Sequence, residues 1–328
     1  MENTKELQIK NNRAIDIAKL VLAFLVVAIH TEPFGDYYWL DKGFGLITRL
    51  CVPFFFVASS YFFFLKDTAP LKYIQRLFVM YLIWSVIYLP FDLVELGTMT
   101  LPEILERYLW IGNGHALWYL CGSIIGFAIA YGLSRFLSPR TVLVIAVIIL
   151  TVGCLKSTYA PVLNRFLPIE VSDFLGSRNG LFYGFPYYAL GMYIAKVKES
   201  REKSTAYNLA GFGISFLLLC VESAVMVVGF KVSATIIWLS VMPLVYFFFM
   251  TVKGTELPIS SGAARYCRKL STLIYLTHSA YIYILKDLVP DIAGWLLFLT
   301  VSAVSVLVSM VIILLGKLKF FKWLKYLY

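Results

Sequence analysis

The chain has 328 residues, 60% of them hydrophobic and only 15% charged, with 29 Lys and Arg against 19 Asp and Glu. That balance excludes a water-soluble domain with an ordinary polar surface, and no period-2 alternation of the barrel type runs through it, which excludes a transmembrane β-barrel. The net charge of +10 does not imply a nucleic-acid partner, because most of the Lys and Arg gather in alternate loops, as cytoplasmic loops of membrane proteins do.

Residues 1–12 form a polar tail, and residues 13–328 form a single membrane domain. Apolar runs approaching the roughly 20 residues needed to cross a bilayer recur about ten times along it. They are Ala14–His30, Phe44–Leu65, Tyr73–Val94, Ala116–Leu133, Thr141–Leu155, Gly180–Ala195, Tyr207–Gly229, Val232–Val252, Leu273–Leu288 and Ile292–Leu315. The expected architecture is an all-α, polytopic membrane helical bundle. The Lys/Arg bias predicts a plasma-membrane protein with both termini in the cytoplasm. The first run carries Asp16 and Lys19 and lacks a small-residue cleavage site, so it is expected to stay as a span and not to leave as a signal peptide.

Two outer loops stand out. The first, residues 91–115, holds Asp92, Glu95, Glu103 and Glu106, and predicts a short helix after Thr100 with Pro102 in its first turn. The second, residues 156–180, is rich in Pro, Ser, Asp and Gly, which argues against regular structure throughout. The five cysteines are scattered, form no Cys-x-x-Cys pair, and read as core packing. No Gly-x-Ser-x-Gly, phosphate-binding loop or dinucleotide fingerprint occurs, no internal repeat is visible, and no metal set is expected from three histidines on separate spans.

The informative residues are ionisable groups inside apolar runs. Each costs about 2.5–3.5 kcal/mol at a span's centre on insertion scales, so such groups face a bundle interior or water. Asp16 and Lys19 lie three apart near the inner end of the first span. His30 lies fourteen positions after Asp16, about 21 Å along a helix axis. Arg49, His115, Arg178, Glu222 and His278 all fall in the middle or outer half of the membrane by this topology, which predicts an outward-opening cavity lined by them. Each has a plainer reading beside it: an interfacial histidine, or a buried structural ion pair.

The order of these residues carries a resemblance. Asp16 followed by His30, then "RLCVPFFFVASSYF", "HALWYL", "SRNGLFYGFPYYALG" and "LSTLIYLTH" together resemble the integral-membrane acyltransferase-3 family over nearly the whole chain. The branch most alike is the membrane domain of the VanT-type serine racemases of vancomycin resistance, without the racemase domain usually fused to it. The resemblance implies ten helices, cytoplasmic termini, and transfer of an acyl group from a cytoplasmic thioester such as acetyl-CoA to a hydroxyl or amine of an envelope glycan or lipid. It assigns His30 as general base and matches Asp16 to the family acid, with acyl-CoA as co-substrate and no tightly bound cofactor.

Two departures qualify it. Lys19 stands where the family has arginine, and the family's paired arginines are replaced by Lys72 and Arg76 in "LKYIQRL". Lys19, Lys72 and Arg76 are therefore the expected donor contacts, without the planar fork that arginine brings to phosphates. The alternative implied by the same branch is an L-serine transport or accessory protein serving a separate serine racemase.

Overall fold

The computed structural model describes residues 13–66, 68–113, 115–168, 170–173, 176–197, 204–232 and 237–328. The polar tail 1–12 lies outside the described residues, as does part of the basic run that follows Lys196. Among the described residues the chain is helical and contains no strand. The helices are α1 (Arg13–Thr31), α2 (Tyr38–Thr48), α3 (Cys51–Lys66), α4 (Pro70–Leu96), α5 (Leu101–Leu105), α6 (Trp118–Leu133), α7 (Pro139–Lys156), α8 (Ala160–Phe166), α9 (Phe185–Lys196), α10 (Thr205–Ser223), α11 (Val241–Gly254), α12 (Ser261–Leu288) and α13 (Gly294–Leu315).

Local sequence sets several helix starts. Ser138, Ser204 and Ser260 each accept a backbone N–H from three residues on, at 3.1, 3.2 and 3.1 Å, and so cap α7, α10 and α12. Pro70, Pro139 and Pro186 sit in first turns, where a missing N–H costs nothing. The short helix expected after Thr100 is α5. The long loop 156–180 contains α8, and Asn164 closes its end by bonding both the N–H and the carbonyl of Val171.

Among the described residues, six helical stretches are long and apolar enough to cross a membrane: Arg13–Thr31, Tyr38–Lys66, Pro70–Leu96, Pro139–Lys156, Thr205–Gly229 and Gly294–Leu315. The ten expected runs are thus met in part. Trp118–Leu133 and Val241–Gly254 are apolar but shorter. The run Gly180–Ala195 is helical throughout, a wide helical turn, Gly180–Gly184, leading directly into the 12-residue α9. Helix α12 carries Arg265, Arg268 and Lys269 in its first half. Many apolar side chains on the outer surface are bare, among them Ile214, Leu217, Leu218 and Val221 on α10, as lipid-facing residues should be. The chain is a helical membrane protein.

The residues fall into two compact units. The first comprises the described residues of 13–51, 82–92 and 252–328, and so contains α1, α2, α12, α13 and the middle of α4. Its centre is α1 packed on α12, with α13 against both. The second comprises residues 52–81 and 93–251. Its centre is α6, α7 and α9 around an aromatic core that includes Phe56, Phe127, Tyr187 and Tyr188. Helices α6 and α9 touch backbone to backbone. A Cβ on Gly126 would lie 2.6 Å from the carbonyl carbon of Gly184, and one on Gly184 would overlap the carbonyl oxygen of Gly122. Small residues are what permit that approach between membrane helices.

Candidate functional site

In the first unit, the last turn of α1 and the middle of α12 bring two histidines together. The rings of His30 and His278 lie 5.3 Å apart between centroids, tilted by 33°. His278 is fully buried, whereas His30 is exposed. The Nδ1 of His278 sits 2.7 Å from the carbonyl oxygen of Tyr275 and 3.3 Å from that of Ile274. A ring nitrogen facing two carbonyl oxygens carries a hydrogen and donates it, which fixes the ring and turns Nε2 the other way. Ser279 Oγ lies 3.4 Å from that Nε2.

Helix α4 fixes this stretch of α12. The Tyr88 hydroxyl donates to the carbonyl of Leu276 at 2.7 Å and accepts from the N–H of Ala280 at 3.3 Å, one residue group on either side of His278. The turn after His30 is fixed from the other side. Glu32 is left-handed (φ 49°), and Gly294 at the start of α13 lies against its carbonyl, with room for no Cβ. His30 therefore sits just before a rigid corner, not at a frayed end.

Asp16 lies at the opposite end of α1. It is buried, and its Oδ2 is 3.8 Å from Nη1 of Arg268 on α12. Fourteen residues of helix separate it from His30, about 21 Å. It does not orient the His30 ring directly. Lys19 is half-buried one turn further along α1. Arg49, half-buried, ends α2.

The remaining expected site residues belong to the second unit. Glu222, near the end of α10, accepts four hydrogen bonds. They come from the N–H groups of Leu239 and Ser240 at 3.1 Å each, and from the hydroxyls of Tyr159 and Ser240. The Tyr159 phenol is raised well above its usual range, first by burial and then by the bond it donates to Glu222. His115 is buried in the turn that leads into α6. Arg178 is exposed, its guanidinium 5.2 Å from the Trp118 ring centre. Lys72 and Arg76 are both exposed near the start of α4. Lys156, not singled out from sequence, is buried and bonds Asp173 Oδ1 at 2.9 Å and the Gly176 carbonyl at 3.2 Å.

The structure thus joins His30 to His278 in one unit, and holds Glu222 in a local knot in the other. Sequence reasoning missed Tyr88, Tyr159, Ser240 and Arg268. Tyr88 has no signal beyond being one of 22 tyrosines. Arg268 was visible only as part of the basic run "RYCRK", which also reads as an orientation signal. All five cysteines are free, with Cys51, Cys121 and Cys154 buried. Among the described residues no group of three His, Cys, Asp or Glu side chains is placed to hold a metal.

Comparison with known proteins gives one family. The acyltransferase domain model of the acyltransferase-3 family matches residues 12–314. Curated relatives include two amino-acid racemases of Enterococcus faecalis. One is 30% identical over 201 residues, covering 55% of this chain and 28% of that protein. The other is 25% identical over 326 residues, covering 91% of this chain and 45% of that protein. A serine/alanine racemase of Enterococcus gallinarum is 29% identical over 292 residues, covering 81% of this chain and 40% of that protein. The chain spans less than half the length of each of these relatives. No solved structure matches the chain.

Proposed function

Because the chain belongs to the acyltransferase-3 family, we propose that it moves an acyl group from a cytoplasmic thioester such as acetyl-CoA to a hydroxyl or amine of an envelope glycan or lipid. The observation that carries this reading is the His30–His278 pair. An exposed imidazole stands beside a buried one, both on helices fixed from two sides. A positioned base near its working pH contributes about 10²–10⁴-fold to such a transfer.

In the proposed step, His30 takes the proton of the acceptor hydroxyl as its oxygen attacks the thioester carbonyl carbon. The carbon–sulfur bond breaks, and the departing thiolate recovers the proton from His30. The acceptor leaves as an ester and the donor as a free thiol. His278 is the positioning partner, keeping a buried ring against His30. Asp16 holds Arg268 and so the far ends of α1 and α12, matching the family acid in place but serving the base only through the helix. In the first unit, Lys19 is a proposed contact for donor phosphates and Arg49 for the acceptor. Taken by itself, the second unit offers Lys72 and Arg76 for donor phosphates and His115 and Arg178 for the acceptor, as the family resemblance implies. This reading places the protein in the plasma membrane with ten spans and both termini cytoplasmic, supported by the Lys/Arg bias of the loops.

A second reading is favoured by the relatives, which bear the names of racemases and align with this chain over less than half their length. It makes the chain an L-serine transport or accessory protein working with a separate serine racemase. One experiment separates the two. Purified protein in liposomes is given labelled acetyl-CoA with envelope lipid and glycan acceptors, and in parallel labelled L-serine. Acyl transfer lost in His30→Ala supports the enzyme. Serine flux without acyl transfer, unchanged in His30→Ala, refutes it.

A further inference from the structure

After α13 ends at Leu315, the chain turns at Gly316 and runs through two 3₁₀ turns, Lys319–Leu327, joined by a bend at Phe321. Side chains three apart share a face in such a helix. From the bend onward, three pairs therefore take three faces. Leu324 and Leu327 are buried against the first unit. Trp323 and Tyr326 are 54% and 62% exposed. Lys322 and Lys325 are exposed on the third face, and before the bend Lys319 and Phe320 are exposed too. The buried face is tied down. The Trp84 indole N–H donates to the Leu327 carbonyl at 3.2 Å, and Lys269 lies 5.1 Å from the Tyr328 ring centre.

More cations gather on this segment. Lys269 precedes the apolar half of α12. Its ammonium is held below its ordinary range, first by burial and then by repulsion from Lys325, Arg268, Lys317 and Arg265. Repulsion within a cluster is a cost that a polyanionic surface removes. A water-exposed row of Trp, Tyr and Phe beside a row of lysines is also costly in water alone, and it is the composition of segments that lie in a membrane interface. The segment begins four residues after a membrane-spanning helix ends, so it has to start at the bilayer surface.

We propose that Lys319–Leu327 is an interfacial foot that docks on anionic phospholipid headgroups. Trp323 and Tyr326 enter the headgroup layer, and Lys319, Lys322 and Lys325, with Lys317 and Arg265, meet the lipid phosphates. The occupant is the protein's own membrane and not a soluble partner. The row of cations matches a sheet of phosphates, and no carboxylate lies between Lys317 and Tyr328.

The test uses the full chain with 5-fluorotryptophan, in nanodiscs of phosphatidylcholine alone or mixed with phosphatidylglycerol. Fluorine NMR reports how strongly an aqueous gadolinium chelate relaxes each tryptophan. The Trp323 signal is assigned by Trp323→Phe, and the fully buried Trp238 serves as the control for folding. Trp323 is expected to be several-fold less relaxed in the anionic discs than in the neutral ones. The combined variant K319Q/K322Q/K325Q is expected to lose that difference with the Trp238 signal unmoved. Equal relaxation of Trp323 in both discs overturns the proposal. So does equal shielding in both, which would mean that protein covers this face whatever the lipid charge.

Discussion

Glu222 in the second unit and the His30–His278 pair in the first are held in different ways. In the second, charge is absorbed locally. Glu222 accepts four hydrogen bonds, Lys156 is bound to Asp173 and a carbonyl, and Arg107 meets Glu95 at 2.5 Å and Asn113 at 3.2 Å. In the first unit, the two histidines face each other, and the bonds around them go to fixing their helices. A residue whose hydrogen-bonding capacity is filled by its own fold holds structure. Under the proposed function, an exposed imidazole held beside a second, buried ring is placed for chemistry. Apolar surroundings make both kinds rare, so rarity in the sequence does not separate them.

The sharpest way to break this comparison is to remove the histidines. His30→Ala is expected to cut acyl transfer by about 10²–10⁴-fold while leaving abundance in the membrane unchanged. His278→Ala is expected to lower the rate less, because the base remains but loses the ring that packs against it. Initial rates per folded molecule in proteoliposomes check both. A His30→Ala protein of full activity would make His30 an interfacial residue, and the contrast between the units would lose its chemical half.

Next in size is the packing of the second unit. Gly126→Val puts a branched side chain where even a Cβ lies 2.6 Å from the Gly184 carbonyl carbon. Overpacking of this kind typically costs about 1–3 kcal/mol or more. The expected outcome is loss of folded protein in a thermal-shift or detergent-resistance assay. Any molecules that do fold should transfer acyl groups at the normal rate.

That packing also shows what could be read from the chain alone. The glycine-rich "RNGLFYGFPYYALG" is visible as a motif within one apolar run, and the structure makes that run a wide helical turn, Gly180–Gly184, continuing into α9. Apolar composition reports depth in the membrane and not where a helix widens. His30 and His278 were legible because ionisable groups in greasy helices are costly. Their pairing was not legible, because 248 positions separate them and only the packing of α1 on α12 closes the distance. Tyr88, which brackets His278, was hidden among many aromatics, and the four donors on Glu222 come from a loop and a helix start that carry no pattern. The short helix after Thr100 was legible because turn chemistry there is local, with proline and acid at fixed offsets.

A smaller effect tests the other half of the comparison. Glu222→Gln keeps the size but replaces an acceptor oxygen with a donor group that faces N–H groups. It is expected to destabilise the second unit by about 1–3 kcal/mol, seen as a lower midpoint in thermal unfolding. Activity per folded molecule should stay within two-fold or so of wild type, since the carboxylate is spent on Tyr159, Leu239 and Ser240. A normal midpoint with lost transfer would instead make Glu222 part of the reacting site, and the division between holding and reacting groups would fail at its clearest case.

The smallest effect concerns charge used purely for local structure at the surface. Glu103 accepts from the Thr100 N–H at 2.7 Å and from the Thr100 hydroxyl at 2.8 Å. The backbone bond first, and the hydroxyl second, hold its carboxyl below the ordinary value of 4.5. A carboxyl lowered by folding contributes stability that is present above its unfolded value and is lost as pH falls through the lowered one. Amide exchange in Leu101–Leu105 is therefore expected to be slow at neutral pH and to lose its protection, beyond the intrinsic pH dependence of exchange, only when the medium is more acidic than pH 4.5. Glu103→Gln should show the weakly protected state already at neutral pH, with no further acid step. A step of equal size in the variant would assign the protection to the helix's packing, and this residue would then not belong with the locally satisfied charges of the second unit.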